Sequence, residues 1–377
     1  MTARRLTALA AMIAALAPGA LGAQTGIRAR TAVFFESYTF NDGLAFSKVQ
    51  EFTVPVGVTV PLGRIADFTL SSGWVNVRLT SALPNQLGDQ SISGLLDTET
   101  RLAVNVIPGR LVMFANGTLP TGVQRVEQEE LAVLGALSSD LIGFAAANLG
   151  TGGNVGGGFA GAIPLGRWAL GVGATYRNWL PYEALASTTD KLRPGADFRL
   201  RGGLEGPLGR RTYVRVAGIW THRQKDHFGG DVMNGVGNRI IGYASLNQGL
   251  GAGTLTLYGF DVFRGTPFRE ETALGAPILP RGNLIATGAR YEFRLGRSVT
   301  VGPRVEFRLS AQARDITQSK LLLSGESLRF GTDIRFTASR SFAVVLQGGG
   351  MSGFVKRADT KVGFRGFRLA LHGELTP

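Results

Sequence analysis

Apolar and polar residues alternate over long stretches of this chain. Val299, Val301, Val305, Phe307, Leu309, Ala311 and Ala313 occupy every other position, interrupted at Pro303. Between them stand Thr300, Gly302, Arg304, Glu306, Arg308, Ser310, Gln312 and Arg314. Side chains on a strand alternate faces, so this pattern gives one apolar face and one charged face. Just upstream, Ala289, Tyr291, Phe293 and Leu295 alternate with Gly288, Arg290, Glu292 and Arg294, and Leu295-Gly296-Arg297 joins the two runs. The spacing predicts a hairpin over 283–314. A three-residue turn at 296–298 would set Arg290 opposite Arg304, with Glu292 and Glu306 on the diagonals to offset the repulsion.

The same alternation recurs in Phe52, Val54, Val56, Val58 and Val60, and in Trp168, Leu170, Val172, Ala174 and Tyr176. It returns in Leu328, Phe330, Ile334 and Phe336, then in Phe367, Leu369, Leu371 and Leu375. These residues are expected on one outward face. Tyr176, Tyr213, Trp220 and Tyr291 are candidates for aromatic girdles, where an amphipathic ring suits a membrane interface.

Short turns punctuate the runs: Pro61-Leu62-Gly63-Arg64, Pro108-Gly109-Arg110, Pro164-Leu165-Gly166-Arg167 and Pro207-Leu208-Gly209-Arg210, then Gly249-Leu250-Gly251, Leu295-Gly296-Arg297 and Ser339-Arg340-Ser341. They recur roughly every 42 to 47 residues, with one interval of about 56. Each period holds two strands of about 10 to 14 residues, the length of a tilted membrane strand. Seven such turns join 14 strands, and a strand at each end makes about 16, an even number as expected for a closed antiparallel barrel. Fourteen is the alternative, because 28–40 and 238–248 alternate poorly.

Longer connections fall between these hairpins, at 81–93, 178–195, 225–237 and 265–282. The third, 119–152, is longest and carries a helical pattern in Val126, Leu131, Leu134, Leu137, Leu141, Ile142 and Phe144. Glu127, Glu129, Glu130 and Asp140 lie among them. Pro120 precedes this segment and Asn148-Leu149-Gly150 ends it.

Composition narrows the class. The chain has 377 residues, 54 glycines and no cysteine, which excludes disulfides and cysteine metal sites. Arg4 and Arg5, the apolar run Leu6–Leu16 and the small residues to Ala23 read as a cleaved secretory signal over 1–23. No later stretch is long and apolar enough for a spanning helix, so an exported, mildly hydrophobic chain points to a barrel, whose backbone is also satisfied inside lipid. The expected fold is all-β: a transmembrane antiparallel up-and-down barrel over 24–377 with one helical third loop. The net charge of +13 falls to +11 when Arg4 and Arg5 leave with the signal. In an exported chain this excess points away from nucleic acid, toward lipopolysaccharide phosphates or an anion-friendly lumen.

Sixteen strands, short inner turns and a long third loop after the fifth strand resemble the general porins of bacterial outer membranes. The chain is also similar to hydrophobic-substrate transporters of the fatty-acid and phenol-degradation type. The resemblance is one of topology. It implies an outer-membrane location, insertion by the barrel-assembly machinery, a third loop folded inward to narrow the channel, and an oligomer as one option. The ending Glu374-Leu375-Thr376-Pro377 lacks the terminal aromatic of many such barrels, and the few residues before the first strand leave no room for an N-terminal plug.

Candidate chemistry lies in the lumen. Parity points Arg101, Arg177, Arg199, Arg201, Arg215, Arg290, Arg294, Arg304, Arg308, Arg329 and Arg335 inward, with Glu51, Asp97, Glu99, Glu292, Glu306 and Asp333. A charge facing lipid at the midplane costs about 2 to 4 kcal/mol, which favours that assignment. These residues form either an anion-attracting rung or an Arg–Glu network holding strands in register. The third-loop residues Glu127, Glu129, Glu130, Leu134, Leu137, Asp140, Leu141 and Phe144 form either a constriction or an outer lid. Passive diffusion of small anionic or amphipathic solutes is the leading expectation. Uptake of aromatics or fatty acids, and a non-conducting structural or adhesive barrel, are the alternatives. No enzyme, cofactor or metal is expected, since His222, Asp226 and His227 form only a loose loop pattern.

Overall fold

The computed structural model describes residues 26–83, 88–233, 235–267, 280–314, 320–357 and 360–375. The signal expected at 1–23 and the terminal Thr376-Pro377 lie outside the described residues.

Sixteen antiparallel strands close on themselves. They are β1 (Arg28–Phe40), β2 (Phe46–Leu62), β3 (Ala66–Ser81) and β4, which runs in two segments (Gln90–Leu95 and Thr98–Ile107). Then follow β5 (Leu111–Leu119), β6 (Asn154–Leu165), β7 (Trp168–Trp179), β8 (Asp197–Pro207), β9 (Thr212–Arg223) and β10 (Arg239–Leu250). The last six are β11 (Gly253–Arg264), β12 (Gly282–Leu295), β13 (Val299–Gln312), β14 (Leu322–Thr337), β15 (Phe342–Arg357) and β16 (Thr360–Leu375). Each strand pairs with its sequence neighbour, and β16 returns to β1 in register from Ala29↔Leu375 to Phe40↔Phe364. The barrel therefore has no free edge. The 14-strand alternative fails because 28–40 and 239–250 both form full strands.

All seven predicted turns lie at one end, beside both barrel termini, and the long connections lie at the other. Five of the turns carry a glycine at positive φ that closes them: Gly63, Gly109, Gly166, Gly251 and Gly296. We take the short-turn end as periplasmic and the long-loop end as outer. In loops four and five, Tyr182–Glu183, Lys191–Arg193, His227–Phe228 and Asp231–Val232 make a second, four-stranded sheet above the rim, which the alternation did not predict.

The outward face is apolar, as hydrocarbon requires. Phe68, Leu102, Phe159, Val172, Tyr176, Val216, Val305, Phe307, Phe330, Leu346 and Leu369 are all exposed on it. Trp220 and Tyr291 share this face, and the Tyr291 hydroxyl donates to the Leu250 carbonyl at the periplasmic end. Tyr213 does not belong to an outer girdle. Its register places it beside Arg215 and Glu205 on the lumen side.

The inner face is not uniformly polar. In the outer half of the lumen Tyr38, Phe40, Val49, Val75, Val77, Leu79 and Ile92 face inward and pack with Val133, Leu137, Leu141, Ile142 and Phe144 of the third loop. This is a core inside the barrel. It explains why 28–40 alternates poorly: Tyr38 and Phe40 of β1 face inward, under the loop, rather than toward lipid.

Candidate functional site: the lumen and its third loop

The third loop leaves β5 and enters the barrel. Its only helix among the described residues is α1 (Leu131–Leu137), shorter than the pattern over 126–144 predicts. Beyond it the chain bends at Ser138, and Gly143 takes φ +61°. There a Cβ would lie 2.9 Å from an Arg308 guanidinium nitrogen, so a side chain at this left-handed position would be strained and would displace the Arg308 head. Within α1, Val133 and Leu137 are buried and Leu131 is exposed, which shifts the apolar face from the one expected.

Both stems of the loop meet at one carboxylate. Asp97 sits in the break of β4, where it accepts the Gly122 N–H at 2.9 Å and the Thr151 N–H at 2.7 Å. The loop entry is also stitched to loop four. The Ala186 N–H donates to the Val126 carbonyl, and Arg125 pairs with Glu183 at 3.3 Å.

The far side of the loop docks on β1, β2, β13, β14 and β16. Arg308 donates to the Asp140 carbonyl at 3.0 Å, Arg329 reaches Leu141 at 3.4 Å and Arg368 reaches Gly143 at 2.6 Å. In the other direction the Ala145 N–H donates to Glu36 at 3.1 Å and the Ala146 N–H to Glu51 at 2.8 Å. Phe144 meets Tyr38 edge-on at 5.3 Å between centroids. Glu36 and Glu51 face each other across β1 and β2, both fully buried, and Arg368 contacts Glu36 at 2.8 Å.

The expected lumen arginines, with Glu292, Glu306 and Asp333, all lie on the inner face, but on two different walls. On β12–β14, Arg290 does stand opposite Arg304. Asp333 of β14 offsets the repulsion, at 3.4 Å from Arg290 and 3.7 Å from Arg304, and Glu292 adds a contact with Arg290 at 3.1 Å. Glu306 is engaged elsewhere, with Arg308 at 2.7 Å, Arg329 at 4.0 Å and the Tyr258 hydroxyl at 2.9 Å. Arg335 pairs with Glu374 at 2.8 Å. This wall is an ion-paired network that supports the loop. Of the loop acids, Asp140 lies 4.0 Å from Arg264, whereas Glu130 accepts the Glu127 N–H and Glu127 and Glu129 are exposed.

The opposite wall differs. Arg101, Arg177 and Arg201 line a cavity of about 570 Å³ with Arg30, and Glu99 is the acid among its lining residues. Gly117, Gly161, Gly173 and Gly203 help to form its surface, so the wall is thin where the third loop does not reach. Arg101 lies over the Phe114 ring at 4.3 Å and Arg177 over Trp179 at 5.4 Å. Arg199 and Arg215 sit nearby, bound to Asp197 and Glu205. Arg30, Glu36, Arg264 and Arg368 escaped the sequence reading. Strand parity in β16 would have found Arg368, between outward Phe367 and Leu369; the poor alternation of β1 hid Glu36.

No protein-family model and no curated protein matches the chain. Among solved structures, a bacterial polysaccharide outer membrane secretin aligns over 94% of this chain and 99% of its own, with TM-score 0.51 at 9% identity. The fold is that of a bacterial outer-membrane β-barrel. OccK5 (OpdH) of Pseudomonas aeruginosa covers 93% of this chain and 98% of its own, at TM-score 0.48 and 10% identity. OccAB3 of Acinetobacter baumannii covers the same shares at 0.46 and 11%. At these identities the barrel is alike in fold alone.

Among the described residues the barrel shows no group of metal-ligating side chains. Asp226 accepts the Gly195 N–H at 2.7 Å and pairs with Arg223 at 3.0 Å, and His222 contacts Asn238 at 2.8 Å, so these side chains are engaged in holding loops.

Proposed function

We propose that the protein is an outer-membrane diffusion channel that favours small anionic solutes. The observation that carries this is the division of the lumen. The third loop lies against the ion-paired wall, and the remaining space runs along a thin, glycine-rich wall with Arg30, Arg101, Arg177 and Arg201 against Glu99. Charges of one sign in a water-filled constriction raise the local concentration of the opposite ion. A barrel of this size is too wide for side chains alone to fill.

Uptake of hydrophobic compounds finds less support. The apolar side chains that would offer a greasy site, Val133, Leu137, Leu141 and Phe144, are buried in the loop's own core. The test is charge reversal on the open wall. Arg101→Glu with Arg201→Glu should move the zero-current potential in a salt gradient toward cations. Reversing Arg304 and Arg308 should shift it less, because those residues sit in the paired network. An unchanged potential in the first variant contradicts the reading.

A further inference from the structure

The outward faces of the strands carry few charges, and the cations among them are not scattered. Strand register places Lys48, Arg78, Lys356, Lys361 and Arg365 outward. These are the outward-facing arginines and lysines of the sixteen barrel strands as described, and all lie on the five contiguous strands β15, β16, β1, β2 and β3. Of the outward acids, Asp261 lies on distant β11, and Glu326 borders the patch on β14, in register with Phe354.

The five cations all lie toward the outer ends of their strands, at three successive heights. Ser352, Arg365, Thr39, Lys48 and Thr80 form a single row across these strands, near their outer ends. Two residues lower, Phe367, Ser37, Gln50 and Arg78 form the next row, about 7 Å toward the membrane centre. Below that the face turns apolar, at Leu369, Phe35 and Phe52. Above, Lys356 pairs with Lys361 in the register, and the Lys361 ammonium sits over the Phe354 ring at 4.4 Å. Strands are about 4.8 Å apart, so Arg365 and Lys48 stand about 10 Å from each other. Arg78 is bridged to Asp89 at 3.1 Å. Lys48, Lys356, Lys361 and Arg365 have no carboxylate partner among the described residues.

We propose that this patch binds the phosphate groups of an outer-leaflet glycolipid, the lipopolysaccharide of a bacterial outer membrane. Arg365, Lys48 and Arg78 stand where the apolar face ends, at the depth of a headgroup phosphate, with acyl chains running down over Leu369, Phe35 and Phe52. Lys356 and Lys361 stand higher, among the sugars and their phosphates. Fixed cations of this kind attract anionic headgroups cumulatively and are exempt from the midplane cost of a lipid-facing charge. The proposal rests on the outer-membrane barrel reading and is independent of whether the lumen conducts.

The test uses the refolded mature chain in detergent, titrated with purified lipopolysaccharide and with the same lipid after removal of its phosphates. The phosphorylated lipid should bind about tenfold or more tightly. Lys48→Ser with Lys361→Ser and Arg365→Ser should lose a similar factor. Arg64→Ser with Arg167→Ser and Arg297→Ser, which removes three cations from the periplasmic turns, should lose none. Equal binding of both lipids overturns the proposal, as does an equal loss in the periplasmic variant. Competition by millimolar inorganic phosphate would indicate a bare anion site and overturn the assignment to a lipid. If the first variant does not fold, the two lipids compared on the native chain still decide.

Discussion

At the residue scale, a few polar atoms hold the third loop. Arg368 is the clearest of them, because it binds the buried Glu36 at 2.8 Å and the Gly143 carbonyl at 2.6 Å. Removing one partner of a buried ion pair leaves an uncompensated charge, at a cost of about 3 to 5 kcal/mol. Arg368→Ala should therefore lower the temperature at which the folded barrel loses its compact electrophoretic mobility. Arg368→Lys should recover part of the loss, since it restores the charge without the guanidinium fork. Glu51→Gln should act in the opposite direction. Gln keeps an acceptor for Thr53 and Ala146, and the change removes a buried charge facing Glu36, a pairing of like charges that is destabilising. Its unfolding temperature should match or exceed that of the native chain.

At the scale of elements, the third loop is a strap with a neck and a dock. The neck is Asp97, which ties Gly122 to Thr151; the dock is the wall of Glu36, Arg308, Arg329 and Arg368. Asp97→Ala leaves two half-buried N–H donors without their acceptor and should make single-channel current noisier with little change in mean. Deleting 127–144 removes the strap and should raise conductance; unchanged conductance would place the loop outside the conducting path. The sequence showed that a long third loop exists and that it is amphipathic. It did not show where its helix would stop, because apolar residues from Leu141 to Phe144 fit a helix as well as the irregular turn that Gly143 creates. Nor did it show the break in β4, which is defined by what Asp97 binds across the sheet. The strands themselves were legible wherever one face met lipid and the other water, as in 283–314. They were illegible in β1, where Tyr38 and Phe40 face inward under the loop and Ser37 and Thr39 face outward, so neither face is uniform.

At the scale of the whole molecule, charge is sorted by location. Arg290, Arg304, Arg308, Arg329, Arg335 and Arg368, on β12–β14 and β16, are paired with Glu292, Asp333, Glu306, Glu36 and Glu374. Those around the cavity on the β4–β9 side face open space with Glu99. Outward cations gather at the outer rim of β15 to β3. Inward parity alone did not separate the paired arginines from the others, since pairing depends on which strands become neighbours. The most direct test of this account is a planar-bilayer recording of the refolded native chain across a potassium chloride gradient. Stepwise currents with a zero-current potential displaced toward the chloride equilibrium value are the predicted result. Currents with the potassium preference, or a folded barrel that passes no current, would contradict it.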